Sequence, residues 1–102
     1  MRVISQHGNV DLPYEQIIVC HAMESVIALY NGEKYVLGEY SSKEKSYKAM
    51  EMLREQHEKV AFLKMIINTE KGALFVRHLS ETDFNKMTQN YFQFPKDNEV
   101  EV

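Results

Sequence analysis

Residues 25–60, SVIALYNGEKYVLGEYSSKEKSYKAMEMLREQHEKV, change hydrophobic period partway, and that change decides the fold class. Up to Tyr40 the pattern alternates. Asn31-Gly32 sits between two alternating apolar runs, a strong short-range signal for a two-residue hairpin because both positions tolerate positive φ. Such a loop sets Tyr30 opposite Glu33, Ala28 opposite Tyr35 and Val26 opposite Leu37. Ile27, Leu29 and Val36 fall on the other face. After Tyr40 the spacing turns helical. Ser41, with Glu44 three residues on, reads as an N-cap in a capping box. Ala49, Met50, Leu53, Gln56/His57 and Val60 form one stripe that packs on the sheet. Glu44–Lys48 and Glu55–Lys59 have the favourable i,i+4 order.

Working back toward the amino terminus, QIIVCHA (16–22) is rich in β-branched residues with apolar side chains on both faces, so part of it is expected to be covered on both sides. Ahead of it, RVISQHGNVDLPYE (2–15) reads as a small hairpin around Gly8, with Val3, Ser5, Val10 and Leu12 on the core side. Pro13 has no N–H to donate and places this hairpin at a sheet margin.

Beyond Val60 the pattern is ambiguous. VAFLKMII (60–67) is apolar nearly all round and continues the helix, or turns at NTEKG and returns as ALFVRHL (73–79) in a hairpin. Ala61, Leu63, Lys64 and Met65 favour the helix. Ser80 with Asp83 starts a short second helix over 81–89. NYFQFP closes the domain with a strand over 91–94, and 96–102 is an acidic tail expected to fray. The fold class is therefore α+β: an antiparallel sheet of four to five strands, one long helix over 42–67 on one face, and a single domain spanning 1–95.

Composition narrows the function classes. The chain has 102 residues and a net charge of −3, and its three arginines, Arg2, Arg54 and Arg77, are scattered. No phosphate-tracking basic stripe exists, so a nucleic-acid partner is not expected. No apolar run is long enough to span a bilayer. One cysteine, Cys20, precludes an intrachain disulfide and fits a reducing cytoplasm.

Catalytic constellations are missing. Cys20 and His21 are adjacent and point to opposite faces of a strand, so neither can activate the other. The histidines, His7, His21, His57 and His78, lack metal-ligand spacing, and HEKVA at 57–61 lacks the second histidine of a zinc-protease helix. The four glycines do not cluster into a phosphate loop. No cofactor, metal or catalytic residue is assigned.

The aromatic cluster at 91–94 reads as core packing first and as a protein interface second; with the apolar excess at 60–67 it gives a candidate interaction surface of Phe62, Ile66, Tyr91, Phe92 and Phe94. Tyrosine-rich surfaces favour protein interfaces, so a protein partner or self-association is expected. A small-ligand binder using Tyr or His side chains at the helix–sheet edge is the alternative. An enzyme with a dispersed site and a minor virion component come after it.

Three segments carry a resemblance: VISQHGNVDLPYE, LGEYSSKEKSYKAMEMLRE and YFQFPKDNEVEV. Ile4, Ser5, Gln6 and Gly8 with Pro13-Tyr14, then Gly38 to Ser41, then Phe92 to Pro95, resemble a family of small uncharacterised proteins encoded by phages, prophages and mobile elements of Gram-positive bacteria. The resemblance covers about half the chain and omits VAFLKMIINTEKGALFVRHLSETDFNK. It implies a mobile-element setting in a bacterial cytoplasm, and it carries no activity and no site residue.

Overall fold

The computed structural model describes residues 1–67, 69–78, 80 and 89–102. The strands are β1 (Arg2–Ile4), β2 (Asp11–Pro13), β3 (Ile18–Ala22), β4 (Ser25–Tyr30), β5 (Glu33–Glu39) and β6 (Tyr91–Gln93); the helices are α1 (Lys43–Ile66) and α2 (Glu70–Arg77). The α+β class and the long helix agree with the sequence. The expected single sheet of four to five strands is instead two sheets of three, ordered β2-β1-β6 and β3-β4-β5. Pro13 and the 3-10 turn Tyr14–Gln16 break the extended chain between β2 and β3, which separates the two ladders.

The Asn31-Gly32 turn forms as read, with φ of +50° and +79° at its two residues. Tyr30 pairs with Glu33 and Ala28 with Tyr35. Farther from the turn, Val26 pairs with Gly38 rather than Leu37, because a bulge between Val26 and Ile27 leaves Leu37 as the extra residue. Leu37 is buried nonetheless. The β3–β4 turn at Met23 has a positive φ of 56° with no glycine to ease it.

The carboxy-terminal strand does return, but it pairs in parallel with β1, setting Val3 beside Phe92. Phe92 and Phe94 meet edge to face, with ring centroids 5.1 Å apart. They join Val3, Leu12, Val26, Ala28, Leu37, Tyr40, Ala49, Leu53 and Val100 in one apolar cluster that runs through both sheets.

Helix α1 is capped by Ser42, whose Oγ accepts from the Lys45 N–H at 3.2 Å, so the expected cap at Ser41 is one residue early. Ser41 is engaged elsewhere: its N–H donates to Asp97 Oδ1 at 2.7 Å, a partner 56 residues away. Of the stripe read from sequence, Ala49, Leu53 and Val60 are buried, joined by Ser46 and Leu63. The expected Glu44–Lys48 and Glu55–Lys59 pairs do not form; the helix carries a long Lys48–Glu51 contact of 4.0 Å.

The helical alternative holds for residues 60–66, and the second segment is α2 rather than a returning strand. Thr69 links the two helices, its hydroxyl donating to the Ile66 carbonyl at 2.7 Å and accepting from the Gly72 N–H at 2.9 Å. Gly72 is needed at this corner, since a Cβ there would lie 1.6 Å from the Ile66 carbonyl oxygen. The expected helix over 81–89 falls largely on residues 81–88, outside the described residues.

The tail expected to fray is docked. Val100 is buried, Asp97–Glu99 form a 3-10 turn, and Lys45 Nζ reaches both the carbonyl and the carboxylate of Asp97, at 3.0 and 3.3 Å.

Candidate functional sites

The three segments that carry the family resemblance converge on Gln6. Its side-chain amide donates to the carbonyls of Glu39 (3.2 Å) and Pro95 (3.1 Å), and its Oε1 accepts from the Glu39 N–H at 3.1 Å. The Gln6 N–H donates to the Leu37 carbonyl at 2.7 Å. Gln6 thus imitates a short strand along the outer edge of β5 and ties the first sheet to the second. Tyr40 adds a hydroxyl bond to the same Pro95 carbonyl at 2.8 Å. Burial, with lesser contributions from the nearby Asp97 and Glu99 carboxylates, raises the Tyr40 hydroxyl well above the usual phenol range, so it stays protonated and donating. The hydrogen-bonding groups of this junction are satisfied by one another. It holds the fold together and leaves no group aimed at a ligand.

A second region is an open groove of about 660 Å³ between β3 and α1, lined by Tyr14, Ile17, Val19, Tyr47, Met50, Glu51, Leu53 and Arg54. Its size falls in the range of ligand pockets. Two tyrosine–histidine stacks pin strand-side residues to the helix on either side. His21 lies on Tyr47 with centroids 4.0 Å apart and planes 5° from parallel; Tyr14 lies on His57 at 4.2 Å and 24°. The Ser46 hydroxyl donates to the Lys43 carbonyl at 2.7 Å. Its single proton is thereby used, and it accepts from His21, which places a proton on Nε2. Next to His57, Glu15 binds the Met1 α-ammonium at 2.9 Å, and this contact, aided by a backbone hydrogen bond, holds its carboxyl below the ordinary range. Arg54 makes no ion pair among the described residues.

The third region is the outer face of the second sheet. Register puts Ile18 beside Leu29, and Cys20 beside Ile27 and then Val36. Ile18 is 64% exposed, and Leu29 and Val36 are also exposed. The sequence reading placed Ile27, Leu29 and Val36 together on one face, and it expected cover on both sides of β3. The structure keeps α1 on the inner face, over Val26 and Ala28, and the outer side chains stay in solvent.

The five residues expected to form an interaction surface do not lie together. Phe92 and Phe94 are corrected to core residues, the latter 1% exposed, because the parallel pairing of β6 with β1 turns both inward. Tyr91 points outward from the same strand. Phe62 is half exposed on the far part of α1, with Ile66 half-buried one turn on and Met65, Ile67 and Leu74 exposed around them. The groove lies at the helix–sheet edge, where the sequence offered Tyr or His side chains for a small-ligand site without naming residues. Its helix side includes Tyr47, Glu51 and Arg54, which recur at four- and three-residue steps beside the buried stripe. That spacing, opened by Tyr47, is the local signal the sequence carries.

Among the described residues, no three of His, Cys, Asp and Glu gather as a metal site would require. No described helix is long and apolar enough to cross a membrane. The chain matches no protein-family model, no curated protein and no solved structure.

Proposed function

We propose that this chain is a non-enzymatic accessory protein of a phage or other mobile element that acts by binding another protein in the bacterial cytoplasm. The observation that carries the binding role is the apolar outer face of the second sheet. Ile18, Cys20, Ile27, Leu29 and Val36 form a stripe across three strands with no described element over it. Ile18, Leu29 and Val36 are exposed and Cys20 and Ile27 half-buried, and a contiguous exposed apolar patch is a recognised mark of a protein interaction site. The mobile-element setting rests on the sequence resemblance alone.

A tagged wild-type chain and a Leu29→Ser/Val36→Thr variant, both exposed to host lysate, test the binding role. A specific protein captured by the first and lost by the second, with equal thermal stability, supports it. Capture that is unchanged by the double substitution removes this face from consideration. Neighbouring genes for lysogeny, capsid assembly or host-defence evasion bear on the setting, and mass spectrometry of purified particles decides the virion alternative.

A second reading, a small-ligand binder, is favoured by the groove, where Tyr14 and Tyr47 stand at the helix–sheet edge. Thermal shift against nucleotides and metabolites tests it; stabilisation that disappears in Tyr47→Ala supports this reading.

A further inference from the structure

The sheet edges are not equally protected. β2 ends in Pro13, and its Asp11 is held by Arg2 Nε at 2.8 Å. The outer edge of β5 is occupied by Gln6 along Leu37 and Glu39. β6 is three residues long. β3 differs from all of these. Residues 17–22 contain no proline and no formally charged residue, and beyond the ladder with β4 none of their backbone groups has a hydrogen-bond partner among the described residues. Proteins rarely leave such an edge open, because its unpaired N–H and C=O groups form a template for another strand. Beside this edge runs the 660 Å³ groove between β3 and α1, where Ile17 and Val19 are left partly uncovered. Edge and groove together have the form of a missing strand and its packing.

We infer that a second copy of this chain occupies it: β3 pairs antiparallel with β3 of the second copy, and the two α1 helices close over the seam. A two-fold axis makes the strands antiparallel and requires a surface complementary to itself. The charges lining the groove meet that requirement. Glu51 and Arg54 have opposite signs, lie three residues apart on one helix, and form no ion pair with each other; Glu51 has only the long 4.0 Å contact with Lys48. An antiparallel copy of the helix brings each Glu51 to Arg54 of the other chain and repeats the pair on the opposite side of the axis. Strand pairing over five residues falls short of the ~800 Å² per partner of a standard interface, so the partly exposed groove residues Tyr47, Met50, Ile17 and Val19 must supply much of the contact. This surface shares Ile18 and Cys20 of β3 with the outer sheet face, and the Glu51 and Arg54 reversals on the helix side, which leave that face intact, separate the two assignments.

The test is sedimentation equilibrium of the full chain over a concentration series. Wild type is expected to pass from one chain mass to two. Glu51→Arg and Arg54→Glu, each alone, weaken dimerisation at least tenfold; the double variant E51R/R54E restores it to near wild type. Ile18→Lys, at a solvent-exposed site on β3, weakens the dimer while leaving the circular dichroism spectrum and melting temperature of the monomer unchanged. Hydrogen exchange of the β3 amides slows as concentration rises. A chain that stays monomeric up to ~100 μM overturns the inference, whatever else it binds. So does a dimer indifferent to both charge reversals, or one broken by Leu29→Ser but not by Ile18→Lys.

Discussion

Replacing Gln6 with alanine tests whether the junction of the three segments holds the two sheets together. The substitution removes three side-chain hydrogen bonds, of 3.2, 3.1 and 3.1 Å, and keeps the backbone bond from the Gln6 N–H to Leu37. It strands no buried group. The Pro95 carbonyl retains the Tyr40 hydroxyl, and the Glu39 backbone, on an exposed residue, turns to water. Each lost bond is therefore valued near the low end of the net range, ~0.5 kcal/mol, for a total of ~1.5 kcal/mol. For a domain of this size that lowers the melting temperature by ~6–12 °C. Thermal melts followed by circular dichroism, with urea titrations at constant m, measure it. Gln16→Ala, at an exposed site with no side-chain hydrogen bond, is the control and stays within ~0.5 kcal/mol of wild type. If Gln6→Ala melts with the control, the junction contributes nothing and the sheets are held by their shared core alone.

The other expectations concern the core, two backbone positions and pH. Phe94→Ala should cost ~3–5 kcal/mol by urea titration, whereas Phe62→Ser, at a half-exposed site, should leave stability within ~0.5 kcal/mol; equal effects would contradict the assignment of Phe94 to the core. Gly72→Ala forces a Cβ onto the Ile66 carbonyl and should open the α1–α2 corner, seen as faster amide exchange at Gly72 and Thr69 with the sheets unaffected. Met23→Gly should stabilise by ~0.5–1 kcal/mol by relieving a left-handed φ at an exposed turn, and destabilisation would refute the strain. The Asp97 carboxyl is held below its ordinary value of 3.8 chiefly by the Ser41 N–H, with help from Lys45. A lowered folded pKa contributes stability that is complete above the unfolded value and disappears as pH falls through the folded one. Urea midpoints of wild type should therefore drop on acidification below that ordinary value, and Asp97→Asn should flatten the drop, leaving the parallel contribution of Glu15.

What was legible in the sequence was local. The Asn31-Gly32 turn carries its own φ signature, and the Ala49–Leu53–Val60 stripe needs only the helical repeat. What was not legible depends on partners far along the chain. The cap moves from Ser41 to Ser42 because Asp97, 56 residues away, takes the Ser41 N–H. Phe92 and Phe94 are in the core, the first of the readings the sequence allowed, but a six-residue segment gives no sign that it will lie in parallel beside β1. The β3–β4 turn contains neither glycine nor asparagine; Met23 adopts its positive φ because pairing of Ala22 with Ser25 demands it.

The division into two sheets follows from the length of α1. A helix of 24 residues is ~36 Å long, whereas the longest strand has seven residues and spans ~23 Å. One sheet of such strands cannot cover the apolar side of that helix. The second sheet serves its amino-terminal half, where His21 meets Ser46 and Tyr47. The first serves the stretch beyond, where Tyr14 meets His57, and Met1 and Asn90 line a small cleft with Val60. Each sheet is then only three strands wide, and a groove stays open between β3 and the helix. The open groove and the unpaired edge lie side by side at β3, and a strand from a second copy is the addition that would widen the layer beneath the helix there.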